Sequence, residues 1–266
     1  MSKNISKFTV ALALFFFAAV SLQAGMVPAY YDAPYADAKT VKENLEKEGF
    51  NVLATYSPAA KANLEVMVFT NKALISNASI KIRGFAAIQR VMVDSTAKTV
   101  RVTNPSYWLQ AFMQKEYKAG SDTAITDSIG KALGTLTPTK DALKNEDLAH
   151  YQYAVSMPYY ENMVELKSGT ALAINPKKVA FTLQLDNGST LVGVKMSKTI
   201  EKFIEMIGED KALALPYTVL IEDGKAYSLH AKYYLAMSYP LLPLGEFMKI
   251  SSTPDAIERK LKKSFK

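Results

Sequence analysis

The chain has 266 residues, of which 49% are hydrophobic and 21% are charged. This composition excludes a disordered protein and suits one large domain or two of about a hundred residues each. The formal net charge of +7 is mild and its lysines and glutamates are interleaved, so we expect no nucleic-acid-binding face, and the lack of cysteine excludes disulfides and thiolate metal sites.

The first residues are typical of a secretory signal peptide. Lys3 and Lys7 precede the apolar run Phe8–Val20, and a small residue, Ala24, stands before Gly25. The apolar run is shorter than the roughly 20 residues that span a bilayer, which disfavours a membrane anchor. We therefore predict cleavage near Ala24 and a periplasmic or secreted protein whose mature chain, without residues 1–24, has no transmembrane span.

Residues 25–120 are predicted to form the first of two similar α+β domains. The predicted elements are an extended arm at 25–38, a helix begun by the capping box of Thr40 and Glu43, strands at 50–56, 64–69, 91–93 and 99–103, and a helix capped by Asn104-Pro105-Ser106. Residues 72–87 have no clear period and are interpreted as a short helix or an irregular crossing. Residues 121–138 carry apolar residues at four-residue intervals, which predicts a linker helix.

Residues 139–266 are predicted to form the second domain. Its predicted elements are a helix at 139–150, strands at 151–157 and 171–174, an inserted hairpin at 179–196 around Asp186-Asn187-Gly188, a helix at 200–207, and a last helix that starts at Ser252-Thr253-Pro254-Asp255. Between the last two lies Leu213–Met237, which repeats the strand, turn and aromatic-helix order of Ile88–Met113. The chain therefore looks like one module written twice.

The repeated stretch carries a resemblance to a known family. Leu215–Lys225 reads LPYTVLIEDGK and is followed by Tyr234-Leu235; the first copy has Val91–Asp94 and Asn104–Tyr107 at the matching places. In these residues each copy resembles the domain-of-unknown-function 302 family. The resemblance implies small α+β domains with a TATA-binding-protein-like fold and implies no biochemical role.

Two similar domains in one chain can pair about a pseudo-twofold axis, as a homodimer does between two chains. We therefore expect antiparallel or mixed sheets with helices packed on one side.

The candidate chemistry centres on one histidine. His230 precedes the second aromatic helix, and with Glu222, Asp223 and Lys232 it could form an acid–base or metal pocket. The alternative is a histidine that caps the helix or is simply exposed. No spacing of histidine or carboxylate predicts a metal site or a cofactor, and the methionines fall where core residues are expected.

Aromatic doublets are the other candidate signal. In each helical doublet, Tyr107-Trp108 and Tyr233-Tyr234, one partner should face outward if the other is buried, which favours a ligand-binding groove or a protein interface. Asn104 and Asn175, at the junctions before the helices, are further ligand-binding candidates. The alternative is that the tyrosines close the edges of the core with their hydroxyl groups in water.

Weak peripheral contact with an anionic membrane is a minor alternative, carried by a terminal basic cluster of Arg259, Lys260, Lys262 and Lys263. Taken together, the sequence predicts a non-catalytic binding or interaction module of the periplasm or cell envelope, with a small molecule or an envelope protein as partner. The alternative is a periplasmic enzyme that uses His230 with Glu222 or Asp223 as acid and base.

Overall fold

The computed structural model describes residues 25–266, so the predicted signal peptide lies outside the described residues. The strands are Met26–Pro28 (β1), Tyr30–Ala33 (β2), Asn51–Tyr56 (β3), Leu64–Thr70 (β4), Gln89–Asp94 (β5), Thr99–Thr103 (β6), Thr137–Pro138 (β7), Ala142–Lys144 (β8), Val164–Ser168 (β9), Val179–Gln184 (β10), Thr190–Val194 (β11), Tyr217–Glu222 (β12) and Lys225–Ser228 (β13). The α-helices are Ala38–Lys47 (α1), Lys72–Ala78 (α2), Pro105–Met113 (α3), Thr123–Leu133 (α4), Lys198–Glu201 (α5), Phe203–Ile207 (α6), Ala231–Ser238 (α7), Leu244–Lys249 (α8) and Thr253–Lys262 (α9). The α+β class is confirmed.

Two antiparallel sheets share one strand order. The first has the order β3-β4-β5-β6-β2-β7 and the second the order β10-β11-β12-β13-β9, while β1 pairs separately with β8. The hairpin β3–β4 therefore corresponds to β10–β11, the hairpin β5–β6 to β12–β13, and β2 to β9. We call β2–β6 with α1–α3 the first half of the molecule and β9–β13 with α5–α7 the second half.

The hairpin predicted at 179–196 forms. In strand order it takes the place in the second sheet that β3–β4 takes in the first, whereas the sequence predicts it as an insertion. Phe181 and Leu183 face the core while Thr182 and Gln184 are exposed, which is the alternation that predicted the hairpin. Gly188 takes a φ of 84° in its turn, a conformation that glycine adopts at low cost.

The segment 139–157 differs most from its prediction. Instead of a helix at 139–150 it has strand β8 and a 3-10 helix at Asn145–His150, and no strand forms at 151–157. The cause is pairing with the N-terminal arm, since Met26 lies opposite Lys144 and Pro28 opposite Ala142. Distant strand pairing has overridden local helix propensity. The strand predicted at 171–174 is reduced to one bridge between Ile174 and Phe265.

The two aromatic helices, α3 and α7, are joined by reciprocal hydrogen bonds. Tyr107 of α3 donates its hydroxyl to the carbonyl of Met237 over 2.8 Å, and Tyr233 of α7 donates to the carbonyl of Ala111 over 3.4 Å. Each tyrosine lies three residues after the N-cap of its helix and each acceptor seven residues after it. A twofold relation between the helices would give this pattern. The pseudo-twofold relation between whole domains, and the domain bounds, stay predictions.

Candidate functional site

The four helical aromatic residues proposed as a binding surface are core residues. Tyr107, Trp108, Tyr233 and Tyr234 are 0%, 5%, 2% and 3% exposed, and each donates its polar hydrogen to a backbone carbonyl. The expectation that one partner of each doublet faces outward is wrong. The physical reason is that α3 contains no charged residue and is buried on nearly every side, so neither partner has solvent to face.

The two candidate asparagines cap local structure. Asn104 is 1% exposed; its Oδ1 accepts from the amide of Ser106 at 3.0 Å, and its Nδ2 donates to the carbonyl of Pro28 at 2.6 Å. Asn175 accepts from the amide of Lys177 at 3.1 Å. These hydrogen bonds satisfy backbone groups at the start of a helical turn. Neither asparagine is therefore positioned as a ligand group.

His230 is the N-cap of α7, as the alternative interpretation allowed. Its Nδ1 accepts from the amide of Lys232 at 3.3 Å and lies 3.2 Å from Oε1 of Glu258 in α9. Burial lowers the pKa of His230, and the carboxylate of Glu258 opposes that effect. The carboxylate neighbour of His230 is Glu258, rather than Glu222 or Asp223, so the structure does not assemble the predicted acid–base set.

Glu222 and Asp223 instead hold a segment of the first half, the crossing segment at residues 79–84. Glu222 is 8% exposed, and its Oε2 accepts from the amide of Ile82 at 2.8 Å while its Oε1 accepts from Nδ2 of Asn187 at 3.1 Å. Asp223 pairs with Lys81, with Oδ2 and Nζ 2.6 Å apart. Both acids therefore join the turn between β12 and β13 to the crossing segment.

The backbone of Ile82 is strained. Its φ is 59°, in the left-handed region that β-branched residues avoid. The surrounding groups hold it on both sides, because Glu222 accepts from its amide and the hydroxyl of Tyr160 donates to its carbonyl at 2.6 Å. Such conformations cost about 1–3 kcal/mol each and cluster at functional sites.

Beside the strained residue is a cleft between the two halves, which we name the Arg83 cleft. Its volume is about 400 Å³, and it is lined by Lys81, Ile82, Arg83, Glu161, Met163 and Tyr227. Clefts of roughly 300–1,000 Å³ with a few polar groups among apolar ones are typical of small-molecule sites. The lining combines both signs of charge with apolar surface.

Arg83 is the distinctive group of this cleft. Its guanidinium carbon lies 5.1 Å from the ring centre of Tyr160, and its Nε is buried without a hydrogen-bond partner. Its one hydrogen bond is a long contact of 3.5 Å from Nη1 to the carbonyl of Ile82. Within residues 25–266 no carboxylate lies within 4.0 Å of it. A planar guanidinium with unused donors suits bidentate binding of a carboxylate or a phosphate.

A second concavity of about 210 Å³ is apolar and lined in part by Tyr153, Phe247 and Met248. Val155 and Leu244, nearby in the same two segments, are 92% and 64% exposed. Nothing in the described residues indicates what would cover this surface.

Elsewhere in residues 25–266, no helix has the length and apolar character needed to cross a bilayer. In the same part of the chain, no three histidine, aspartate or glutamate side chains are placed together as metal ligands. Comparisons with protein-family models, with curated proteins and with solved structures find no match to this chain. We therefore infer function from the Arg83 cleft itself.

Proposed function

We propose that this chain is an exported binding protein whose Arg83 cleft holds a small molecule through an anionic group, either a carboxylate or a phosphate. The observation that carries the proposal is Arg83, which lines the cleft, has no carboxylate within 4.0 Å among the described residues and makes one long side-chain hydrogen bond of 3.5 Å. Its guanidinium therefore keeps donors that an anionic ligand in the cleft would accept from.

Preorganisation supports the same proposal. Arg83 follows Ile82, whose amide and carbonyl are both held, and its guanidinium lies against a tyrosine ring that is 2% exposed. The backbone before Arg83 is therefore fixed and the guanidinium rests against a ring, so ordering this side chain costs less conformational entropy than ordering an unsupported surface arginine. Solubility alone would not require the strained backbone of Ile82, held by two hydrogen bonds, next to this arginine.

No observation favours the enzyme alternative over the binding protein. His230 lies beside Glu258 and caps a helix, and the oxygens of Glu222 accept hydrogen bonds from Ile82 and Asn187. A carboxylate occupied in this way supports the site without reaching a reacting atom.

Export, membership of the domain-of-unknown-function 302 family and membrane contact by the basic tail remain predictions. Cell fractionation tests export directly. Vesicle binding that salt abolishes, and that is lost on deletion of Arg259–Lys266, tests the tail.

The central experiment is isothermal titration calorimetry with inorganic phosphate, short mono- and dicarboxylates, α-amino acids and sugar phosphates. For any compound that binds, we expect Arg83→Met to weaken affinity about ten- to hundredfold, because a hydrogen bond to a charged group contributes about 1.5–3 kcal/mol. Arg83→Lys should restore part of the affinity, since it keeps the charge and loses the planar fork.

Arg259→Met is the matched control, because it removes an arginine from α9, away from the cleft lining. Unchanged affinity in Arg83→Met, an equal loss in the control, or no binding by any of these compounds at millimolar concentration would overturn the proposal.

A further inference from the structure

We infer that the ligand of the Arg83 cleft is a small zwitterion of the α-amino acid class, bound with its carboxylate against Arg83 and its ammonium group against Glu161. This inference rests on the proposed function and adds the second charge that the ligand must carry. Both residues line the same cleft.

Two of the three charged side chains that line the cleft have no ion-pair partner among the described residues. Lys81 pairs with Asp223 at 2.6 Å, so its charge is already balanced within the protein. Arg83 and Glu161, by contrast, have no partner of opposite charge within 4.0 Å among the described residues, and they do not pair with each other. The cleft therefore presents one free cation and one free anion, separated by more than ion-pair distance.

Glu161 disfavours ligands that carry a second negative charge. A dicarboxylate or a sugar phosphate would satisfy Arg83 but would place its remaining negative charge in a cleft that also contains Glu161. Like charges in one cleft repel, and a site can select its ligand by such repulsion as well as by attraction. A simple monocarboxylate would avoid repulsion but would leave Glu161 without a partner. A molecule with an ammonium group beside its carboxylate satisfies both side chains.

The apolar lining of the cleft bears on the part of the ligand beyond its two charged groups. Ile82, Met163 and Tyr227 supply the apolar part of the lining, and the cleft of about 400 Å³ has room for more than the two charged groups. We therefore expect ligands with an apolar side chain to bind more tightly than glycine, because they bury additional apolar surface.

The test starts with the twenty proteinogenic amino acids in a thermal-shift assay on the full described chain. The amino acid that stabilises most is then compared by calorimetry with its own deaminated acid and its own decarboxylated amine. We expect the amino acid to bind at least tenfold more tightly than either analogue. In Glu161→Gln its affinity should fall to that of the deaminated acid, while the affinity of the acid itself should stay the same or rise.

Glu161 is exposed, so Glu161→Gln should fold with an unchanged melting temperature. Glu116→Gln is the matched control, because Glu116 lines a different cleft, beside Tyr117 and Ser121. It should leave every affinity unchanged.

The outcomes separate the two proposals. If the acid binds as tightly as the amino acid, and Arg83→Met weakens both while Glu161→Gln weakens neither, the zwitterion inference fails and the anion-binding function stands. If the amine binds and the acid does not, the proposed function itself is wrong. If no amino acid stabilises the protein but a phosphate or dicarboxylate binds through Arg83, the inference alone is overturned.

Discussion

Tyr107 and Tyr233 occupy equivalent positions in the two central helices, yet their hydroxyl groups should contribute unequally to stability. The hydroxyl of Tyr107 donates to the carbonyl of Met237 over 2.8 Å, whereas that of Tyr233 donates to the carbonyl of Ala111 over 3.4 Å, near the limit for a hydrogen bond. We therefore compare Tyr107→Phe with Tyr233→Phe. Each substitution removes one oxygen and leaves the aromatic ring in place.

The two losses in stability should differ because only one of the two acceptor carbonyls keeps a hydrogen-bond donor after the substitution. Met237 lies in the last turn of α7, where carbonyls have no amide partner within the helix, so Tyr107→Phe leaves a buried acceptor unsatisfied. This should lower the free energy of unfolding by about 1–3 kcal/mol. Ala111 keeps a second donor, Nε2 of Gln114. Tyr233→Phe should therefore cost about 0.5 kcal/mol, the lower end for a neutral hydrogen bond.

Urea denaturation measures both values. Trp108 is the single tryptophan of the chain and is 5% exposed, so its emission should shift to longer wavelength on unfolding. Far-UV circular dichroism, followed in parallel, checks that the transition is two-state and that m is unchanged. Equal losses in the two variants, or a larger loss in Tyr233→Phe, would refute the reasoning that a second donor at the acceptor carbonyl decides the cost.

Substitutions of Glu222, of the helix cap His230 and of Gly193 in the hairpin β10–β11 give three further predictions. Glu222→Gln keeps only one acceptor oxygen for the two donors, Ile82 N and Asn187 Nδ2, so it should lower the free energy of unfolding by about 1.5–3 kcal/mol. It should also weaken ligand affinity, and both quantities can be measured on one preparation. An unchanged affinity would argue against a role of the Glu222–Ile82 hydrogen bond in positioning the cleft. The lowered pKa of His230 means that the unfolded state binds a proton on this ring more readily than the folded state does. The contribution of the neutral ring to stability is therefore present above about pH 6.5 and is lost as the pH falls through the folded pKa. His230→Asn should flatten the dependence of the free energy of unfolding on pH between about pH 5 and 8, and an unchanged dependence would contradict this. A Cβ at Gly193 would overlap the ring of Phe181, so Gly193→Ala should cost about 1–3 kcal/mol, whereas the control Gly245→Ala, with open space around it, should change stability little; equal effects would be contrary to expectation.

The hairpins are the part of the fold that local sequence patterns predict well. The strand Val179–Gln184 alternates buried apolar and exposed polar residues before an Asn-Gly turn, and β5 and β6 flank a short polar turn. In both hairpins the partner strand is only a few residues away, so strand period and turn chemistry lie within one short window.

The segment 139–157 illustrates where such patterns fail. Its residues favour a helix, but Ala142–Lys144 pairs with Met26–Pro28, and nothing within the segment indicates a partner so far away in the chain. One distant pairing thus accounts for the wrong helix.

The burial of the aromatic doublets did have a signal in the sequence. Residues 105–113 contain no charged residue, and residues 231–238 contain only Lys232. A helix that is apolar on every side is buried, so both partners of each doublet could have been assigned to the core. The helical spacing of the apolar residues alone did not distinguish one buried face from complete burial.

Local sequence patterns do not predict the Arg83 cleft. Isoleucine disfavours the left-handed conformation that Ile82 adopts, so local propensity points away from the observed turn. The conformation is held by Glu222 and Tyr160, which lie far along the chain. Glu222 and Asp223, predicted as acid–base candidates, do not line the cleft but bond to the crossing segment that does.

The choice of residue at position 82 links the cleft to the contact between the two halves. Glycine or asparagine would adopt a φ of 59° at lower cost, so the isoleucine stays in that conformation because Glu222 holds it. Separation of the halves would release the segment and move Arg83, and by linkage a ligand that binds Arg83 must then stabilise the contact between the halves. Ile82→Gly removes this dependence at its source. In that variant, Glu222→Gln should weaken ligand affinity less than it does in the wild-type chain. An equal loss in both backgrounds would show that Glu222 affects the cleft by some route other than the strained backbone of Ile82.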